Sequence, residues 1–96
     1  MILDDVYSVI LERRLTPSNG SYVCSLFVKG KDTLLKKIGE EATEVVIASK
    51  GGDKTQTERE ITDLWFHCLA LMAEEGISPG TSIRNSKVVS ALGRVN

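Results

Sequence analysis

Asp32-Thr33-Leu34-Leu35-Lys36-Lys37-Ile38-Gly39-Glu40-Glu41-Ala42-Thr43-Glu44-Val45-Val46-Ile47-Ala48-Ser49-Lys50 is the most strongly patterned stretch of this chain. Leu34, Leu35, Ile38, Ala42, Val45, Val46 and Ser49 recur at spacings of three and four, which places them on one face of an α-helix. Asp32 is predicted to cap its N-terminus. Gly51-Gly52 stops it, with Lys50 in the last turn, where a cation suits the helix macrodipole. Asp53-Lys54-Thr55-Gln56 then has the form of a capping box, with Asp in place of Ser or Thr. It opens a second long helix, Thr55 to Glu75, ended by Gly76. So short a connection makes the two helices antiparallel neighbours.

Outward from this pair the pattern weakens but stays helical. Upstream, Val6, Val9, Ile10 and Arg13 follow helical spacing within Leu3 to Arg14, and Asp4 or Asp5 suits the start of that helix. Leu15-Thr16-Pro17-Ser18-Asn19-Gly20 closes it, after which Ser21 caps a short helix from Tyr22 to Val28 and Gly30 ends it. Downstream, Ser78-Pro79 reads as N-cap and first residue of a last helix. Its body, Gly80 to Asn96, carries the loosely spread Ile83, Val88, Val89 and Leu92. No segment alternates cleanly between apolar and polar residues, and Tyr22 to Val28, the one credible strand, has no partner. The expected fold is all-α, a helix bundle.

The 96 residues, 42% of them apolar, make a single domain over 1–96, short enough that one copy is marginal alone. On the second long helix Ile61, Leu64, Trp65, Phe66, Cys68, Leu69, Leu71 and Met72 leave little polar circumference. A helix apolar nearly all round must be covered on several sides, so a homodimer, or a higher oligomer, is expected with this helix at or near the interface. Twelve Lys+Arg against thirteen Asp+Glu give a net charge of −1, which argues against a nucleic-acid partner. No apolar run approaches the roughly 20 residues of a membrane span, so no membrane partner is expected either. The N-terminus has no basic region followed by an apolar stretch, and Cys24 and Cys68 match no metal-ligand spacing. Free buried thiols in a reducing compartment, the cytoplasm, are the expectation.

Five acids form the distinctive constellation. Glu40, Glu41 and Glu44 lie on the first long helix, and Glu60 and Asp63 on the second. Residues three apart are surface neighbours on a helix, so Glu41 projects with Glu44 and Glu60 with Asp63. Stepping ~100° per residue, Glu41 falls between Leu34 and Ala48 at the margin of the apolar face, and Glu44 lies just beyond it. Glu60, Asp63 and His67 form one stripe beside Leu64 and Leu71. Partly buried carboxylates brought together raise one another's pKa or require a counter-charge. An oxygen-only donor set suits Mg²⁺ or Mn²⁺, and Mg²⁺ held by carboxylates usually shares its sphere with substrate phosphates. A di-iron site would need Glu-x-x-His on two helices, and His67 stands four after Asp63 and seven after Glu60. The plainer alternative is a dimerisation module whose acids merely face water.

The run Leu34 to Ala48, followed by Lys50, resembles phosphoribosyl-ATP pyrophosphohydrolase, the family of the second step of histidine biosynthesis. Leu11-Glu12-Arg13-Arg14 and Ser21-Tyr22 resemble the family's N-terminal motif, and Glu60-x-x-Asp63-Leu64 with His67 its second motif. The pattern Glu40-Glu41-x-x-Glu44 followed by Glu60-x-x-Asp63 is also that of the broader MazG-like all-α nucleoside triphosphate pyrophosphatases. The likeness covers about Leu3 to Arg94. Thr62 and Trp65-Phe66 depart from it, where the family more often has small apolar residues and a tyrosine.

The resemblance implies an enzyme that binds a small nucleotide substrate. It implies Mg²⁺-dependent cleavage of phosphoribosyl-ATP between its α- and β-phosphates, giving phosphoribosyl-AMP and pyrophosphate. By position, Glu41, Glu44, Glu60 and Asp63 would be the metal ligands and Glu40 a carboxylate that orients water. Glu44 and Glu40 are the candidates to accept the water proton. Lys37 could reach a phosphate or pair with Glu41, and Arg13 and Lys31 could contact phosphates if their segments fold over the pocket. His67 could bond a carboxylate such as that of Asp63 or be a satisfied core histidine, and Trp65 points away from the acids. The alternative activity is a house-cleaning pyrophosphatase acting on dUTP or a non-canonical nucleotide.

Overall fold

A computed structural model describes residues 2–16 and 20–93, and every described element is a helix. In chain order these are α1 (Ile2–Leu15), α2 (Tyr22–Lys29), α3 (Lys31–Lys50), α4 (Lys54–Glu75), α5 (Pro79–Asn85) and α6 (Lys87–Leu92). Pro17, Ser18 and Asn19 of the first turn, and the last three residues of the expected final helix, lie outside the described residues.

Local chemistry accounts for most of the boundaries. Ser21 Oγ accepts from Cys24 N–H at 3.3 Å and starts α2. Gly30, at φ 96°, ends α2 and turns directly into α3. That conformation leaves no room for the expected Asp32 cap. Asp32 sits instead inside the first turn of α3, where its charge still suits the macrodipole. Gly52 adopts φ 77° in the α3–α4 turn, and Asp53 accepts from Gln56 N–H at 2.9 Å. Only half of the expected capping box forms. Asp53 N–H donates to Ala48 O at 3.2 Å, so the Gln56 side chain is not required there. Gly76 closes α4 at φ 71°, and Ile77 N–H reaches back to Met72 O at 2.8 Å, as a Schellman end does.

The expected last helix is two. Ser78 accepts from Thr81 N–H at 3.3 Å and starts α5, with Pro79 in its first turn. Ser86 then leaves the helical region at ψ 126° and accepts from Val89 N–H at 3.2 Å to start α6. A serine able to cap competes with a serine continuing a helix, and here the weak apolar pattern does not oppose it.

The α3–α4 pair is the longest contact, α1 packs on α4, and α2 fills the angle between α1 and α3. Ile10 of α1, Leu26 of α2, Leu34 of α3, and Leu69, Ala70 and Ala73 of α4 form the buried core. Ala70 and Ala73 let the other helices approach α4 closely. The same helix leaves Trp65 56% exposed, and α3 leaves Val46 60% and Ile47 59% exposed, so the apolar excess is spread over both long helices. Cys24 is buried as expected, whereas Cys68 is only half-buried. No helix among the described residues is long and apolar enough to cross a membrane.

Candidate active site on α3 and α4

The three-residue turn makes α3 and α4 antiparallel, and this sets the acids of one against those of the other. Glu41, Glu60 and Asp63 each offer a carboxylate oxygen, and these oxygens lie within 4.8 Å of one another. Glu41 and Glu60 are half-buried and Asp63 is exposed at the rim. The cluster therefore has a floor against the helix pair and an open side.

Such a grouping resists ionisation. Burial first, then the hydrogen-bonded and charged Glu60 and the charge of Asp63, raise the Glu41 pKa from 4.5 to about 7. Lys37, one turn earlier on α3, acts in the opposite direction. Lys37 is half-buried, and no ion pair among the described residues ties it to Glu41, so the ammonium is free to meet an anion. On the other side, Gln56 Nε2 donates to Glu60 Oε1 at 2.5 Å. This is the contact that sequence reading missed. Gln56 stands four before Glu60, a helical neighbour, but its place in a capping box concealed the second use.

The remaining expected site residues are distributed unevenly. Glu44 is exposed and lies outside the group of three, about 60° around the helix from Glu41. Glu40 is also exposed, with the Lys36 ammonium 4.0 Å from its carboxylate, so its charge is shared with solvent and lysine. Lys31 is not near the acids. Its Nζ lies 2.5 Å from Glu75 Oε1 at the far end of α4, ~15 Å along α3 from Glu41. That partner raises the Lys31 pKa through a hydrogen bond and its charge. Arg13 is exposed on α1, and it is its carbonyl that takes the Cys24 thiol at 3.3 Å.

His67 does not bond the Asp63 carboxylate. Its Nδ1 lies 2.8 Å from the Asp63 backbone carbonyl, and its Nε2 lies 2.8 Å from Tyr22 Oη. It is 4% exposed, so it is the satisfied core histidine of the two readings. Trp65 faces away from the acids as expected and lines an apolar groove with Leu3, Cys68, Met72, Pro79 and Ile83. Thr62, the departure in the second acidic motif, is exposed and its hydroxyl donates to Glu58 O at 2.9 Å, so it costs the packing nothing.

Two antiparallel helices with converging carboxylates leave several activities open, and comparison with known proteins narrows them. The family model described as phosphoribosyl-ATP pyrophosphohydrolase matches residues 3–87. The chain belongs to the phosphoribosyl-ATP pyrophosphohydrolase family. Within it, the phosphoribosyl-ATP pyrophosphatase of Methylococcus capsulatus is 53% identical over 76 residues, covering 78% of this chain and 72% of the relative. That of Geotalea daltonii is 55% identical over 78 residues, covering 81% and 74%. The histidine biosynthesis bifunctional protein HisIE of Thermoanaerobacter pseudethanolicus is 51% identical over 76 residues, which is 79% of this chain and 35% of that longer protein. As a member of this pyrophosphohydrolase family the chain is a hydrolase of a phosphoric anhydride. The all-α fold expected from its sequence is the one observed.

Proposed function

We propose that this chain hydrolyses phosphoribosyl-ATP to phosphoribosyl-AMP and pyrophosphate with Mg²⁺, or Mn²⁺ in its place, as the second step of histidine biosynthesis. The observation that carries the proposal is the convergence of Glu41, Glu60 and Asp63 within 4.8 Å across two helices, in a chain whose relatives bear that enzyme's name. The donor set fits a hard divalent cation. It is all oxygen, it opens to solvent at Asp63, and in the protein alone burial and the neighbouring Glu60 and Asp63 raise the Glu41 pKa to about 7.

Glu41, Glu60 and Asp63 would hold the cation, with Glu44 one turn away to complete the set or to serve the attacking water. When bound, the ion neutralises polyphosphate charge and lowers the pKa of a coordinated water. The chain's own residues supply the rest. Gln56 fixes the Glu60 carboxylate, and Lys37 presents a cation beside the acids to a phosphate oxygen. Glu44, exposed and in no ion pair among the described residues, accepts the water proton, with Glu40 the less direct alternative because Lys36 competes for it. Lys31, held by Glu75, has no part in this arrangement.

The exposed Val46, Ile47 and Trp65 support a homodimer that covers the faces of α3 and α4 left open in one copy. The free thiol of Cys68 supports a reducing, cytoplasmic setting. Pyrophosphate release measured with phosphoribosyl-ATP, ATP and dUTP, with Mg²⁺ and with EDTA, tests the reading. Release from phosphoribosyl-ATP that stops in EDTA is expected. Release undiminished by EDTA would overturn the metal-dependent mechanism, and preference for dUTP would move the chain to the house-cleaning activity.

A further inference from the structure

The three converging carboxylates are not held alike. Glu60 takes a hydrogen bond from Gln56, and Glu41 is engaged by Glu60. Asp63 has no side-chain hydrogen bond or ion pair among the described residues, so its placement depends on the backbone turn that carries it. That turn is anchored from outside. His67, one turn on, lies 2.8 Å through Nδ1 from the Asp63 carbonyl, and a carbonyl only accepts, so Nδ1 carries the proton. In the neutral ring Nε2 is then an acceptor, and Tyr22 Oη at 2.8 Å donates to it. The imidazole is 4% exposed and is gripped edge-on by Phe66 at 5.3 Å and Tyr22 at 6.0 Å, which leaves it one orientation.

Tyr22 is the first residue of α2, directly after the Ser21 cap. The series Tyr22 hydroxyl, His67 ring, Asp63 carbonyl is therefore a polar tie between the start of α2 and the turn of α4 that presents Asp63. A buried histidine serving packing alone would be met more cheaply by an apolar residue, because each ring nitrogen must be satisfied. The geometry points to Tyr22 and His67 as positioning residues, a latch that holds the Asp63 turn of α4 at the level where its carboxylate meets Glu41 and Glu60. This inference rests on the proposed metal-dependent hydrolysis and adds to it residues that act through the placement of Asp63.

Tyr22→Phe removes one hydroxyl and keeps the ring tilted against Phe66 and edge-on to His67. The full chain and this variant are compared for Mn²⁺ affinity by electron paramagnetic resonance, for kcat and KM with phosphoribosyl-ATP, and for thermal midpoint. The expected result is a Mn²⁺ affinity and a kcat each lowered about tenfold, the low end of the loss seen when an outer hydrogen bond to a metal site is removed, with KM changed far less. His67→Asn, which retains a donor for the Asp63 carbonyl but cannot reach Tyr22, is expected to show the same pattern, and adding Tyr22→Phe to it should cost nothing more. A Tyr22→Phe protein that melts earlier yet keeps wild-type Mn²⁺ affinity and kcat would show a merely structural contact and overturn the latch alone. A wild-type protein that binds no Mn²⁺ would overturn both the latch and the metal reading beneath it.

Discussion

Two levels of the α3–α4 pair treat their carboxylates in opposite ways. At the end beside the core, Glu75 has the Lys31 ammonium at 2.5 Å, and next to it Glu74 has the Arg14 guanidinium at 3.5 Å. Each acid there is matched by a cation, near the fully buried Leu34. Halfway along, Glu41, Glu60 and Asp63 face one another, and Lys37, which acts on Glu41, has no ion pair among the described residues. Matched acids close a surface and need nothing further. Unmatched acids raise one another's pKa and stay poised for a cation from solution. The lesson is that acids are sorted by their partners and not by their number.

The sharpest way to break this contrast is to neutralise one acid at each level. On the proposed mechanism, Asp63→Asn or Glu41→Gln should cut pyrophosphate release from phosphoribosyl-ATP at least ~100-fold, because it would remove a metal ligand and with it several kcal/mol of transition-state stabilisation. Glu75→Gln should leave the rate near that of the unaltered protein. Equal losses from the two substitutions would erase the distinction between the levels.

A core substitution tests the other half. Leu34→Ala empties a site that is 0% exposed and should destabilise the fold by about 2–5 kcal/mol in urea unfolding. The acids should still bind Mn²⁺ at temperatures where the variant is folded. A stability change below about 1 kcal/mol would mean that Leu34 is not the keystone its burial indicates.

Acidity gives a subtler probe. The Glu41 pKa in the folded protein, about 7, is above its ordinary 4.5, so folding favours the protonated carboxyl. Its stabilising contribution to the metal-free fold is complete below about 4.5 and is lost as pH rises through about 7. Melting in EDTA should therefore show a decline across that window which Glu41→Gln removes. On the proposed mechanism Mg²⁺ would have to displace the same proton, so its affinity should climb over that window and level off above it. An apo stability that rises from pH 5 to 7 through this group would contradict the sign.

The smallest effect belongs to the matched level. Lys31→Ala removes an exposed pair and should change activity less than about twofold, with a nearly unchanged melting midpoint, as surface pairs usually do. A large loss of activity would return Lys31 to the list of substrate-binding residues from which its pairing with Glu75 removes it.

Much of this was legible in the chain. Caps at Ser21, Asp53 and Ser78, and the stop at Gly76, follow from side-chain and backbone chemistry within four residues, so local reading found them. Asp32 and the final helix depart from the local pattern for a related reason. At Gly30 and Ser86 a neighbouring residue offered a competing local solution, and only the folded backbone shows which one prevails. The acidic motif was legible as chemistry, and its membership was not. Periodicity places Glu41 and Glu44 side by side on α3, yet the packing of α3 on α4 sets Glu41 against Glu60 and Asp63 and leaves Glu44 in solvent.

The two long helices, their antiparallel pairing and the acid-rich faces follow from the chain alone, because a 3.6-residue repeat and a three-residue turn are local properties of it. Which acids converge, that Gln56 turns to Glu60, that Lys31 is spent on Glu75, and that Tyr22 meets His67 across 45 residues emerge only when the helices pack. The physical reason is one of range. A helix face is set by rotation about one axis, whereas a site between helices depends on their relative height and tilt, and those are set by how Leu34, Leu69, Ala70 and Ala73 pack in the core.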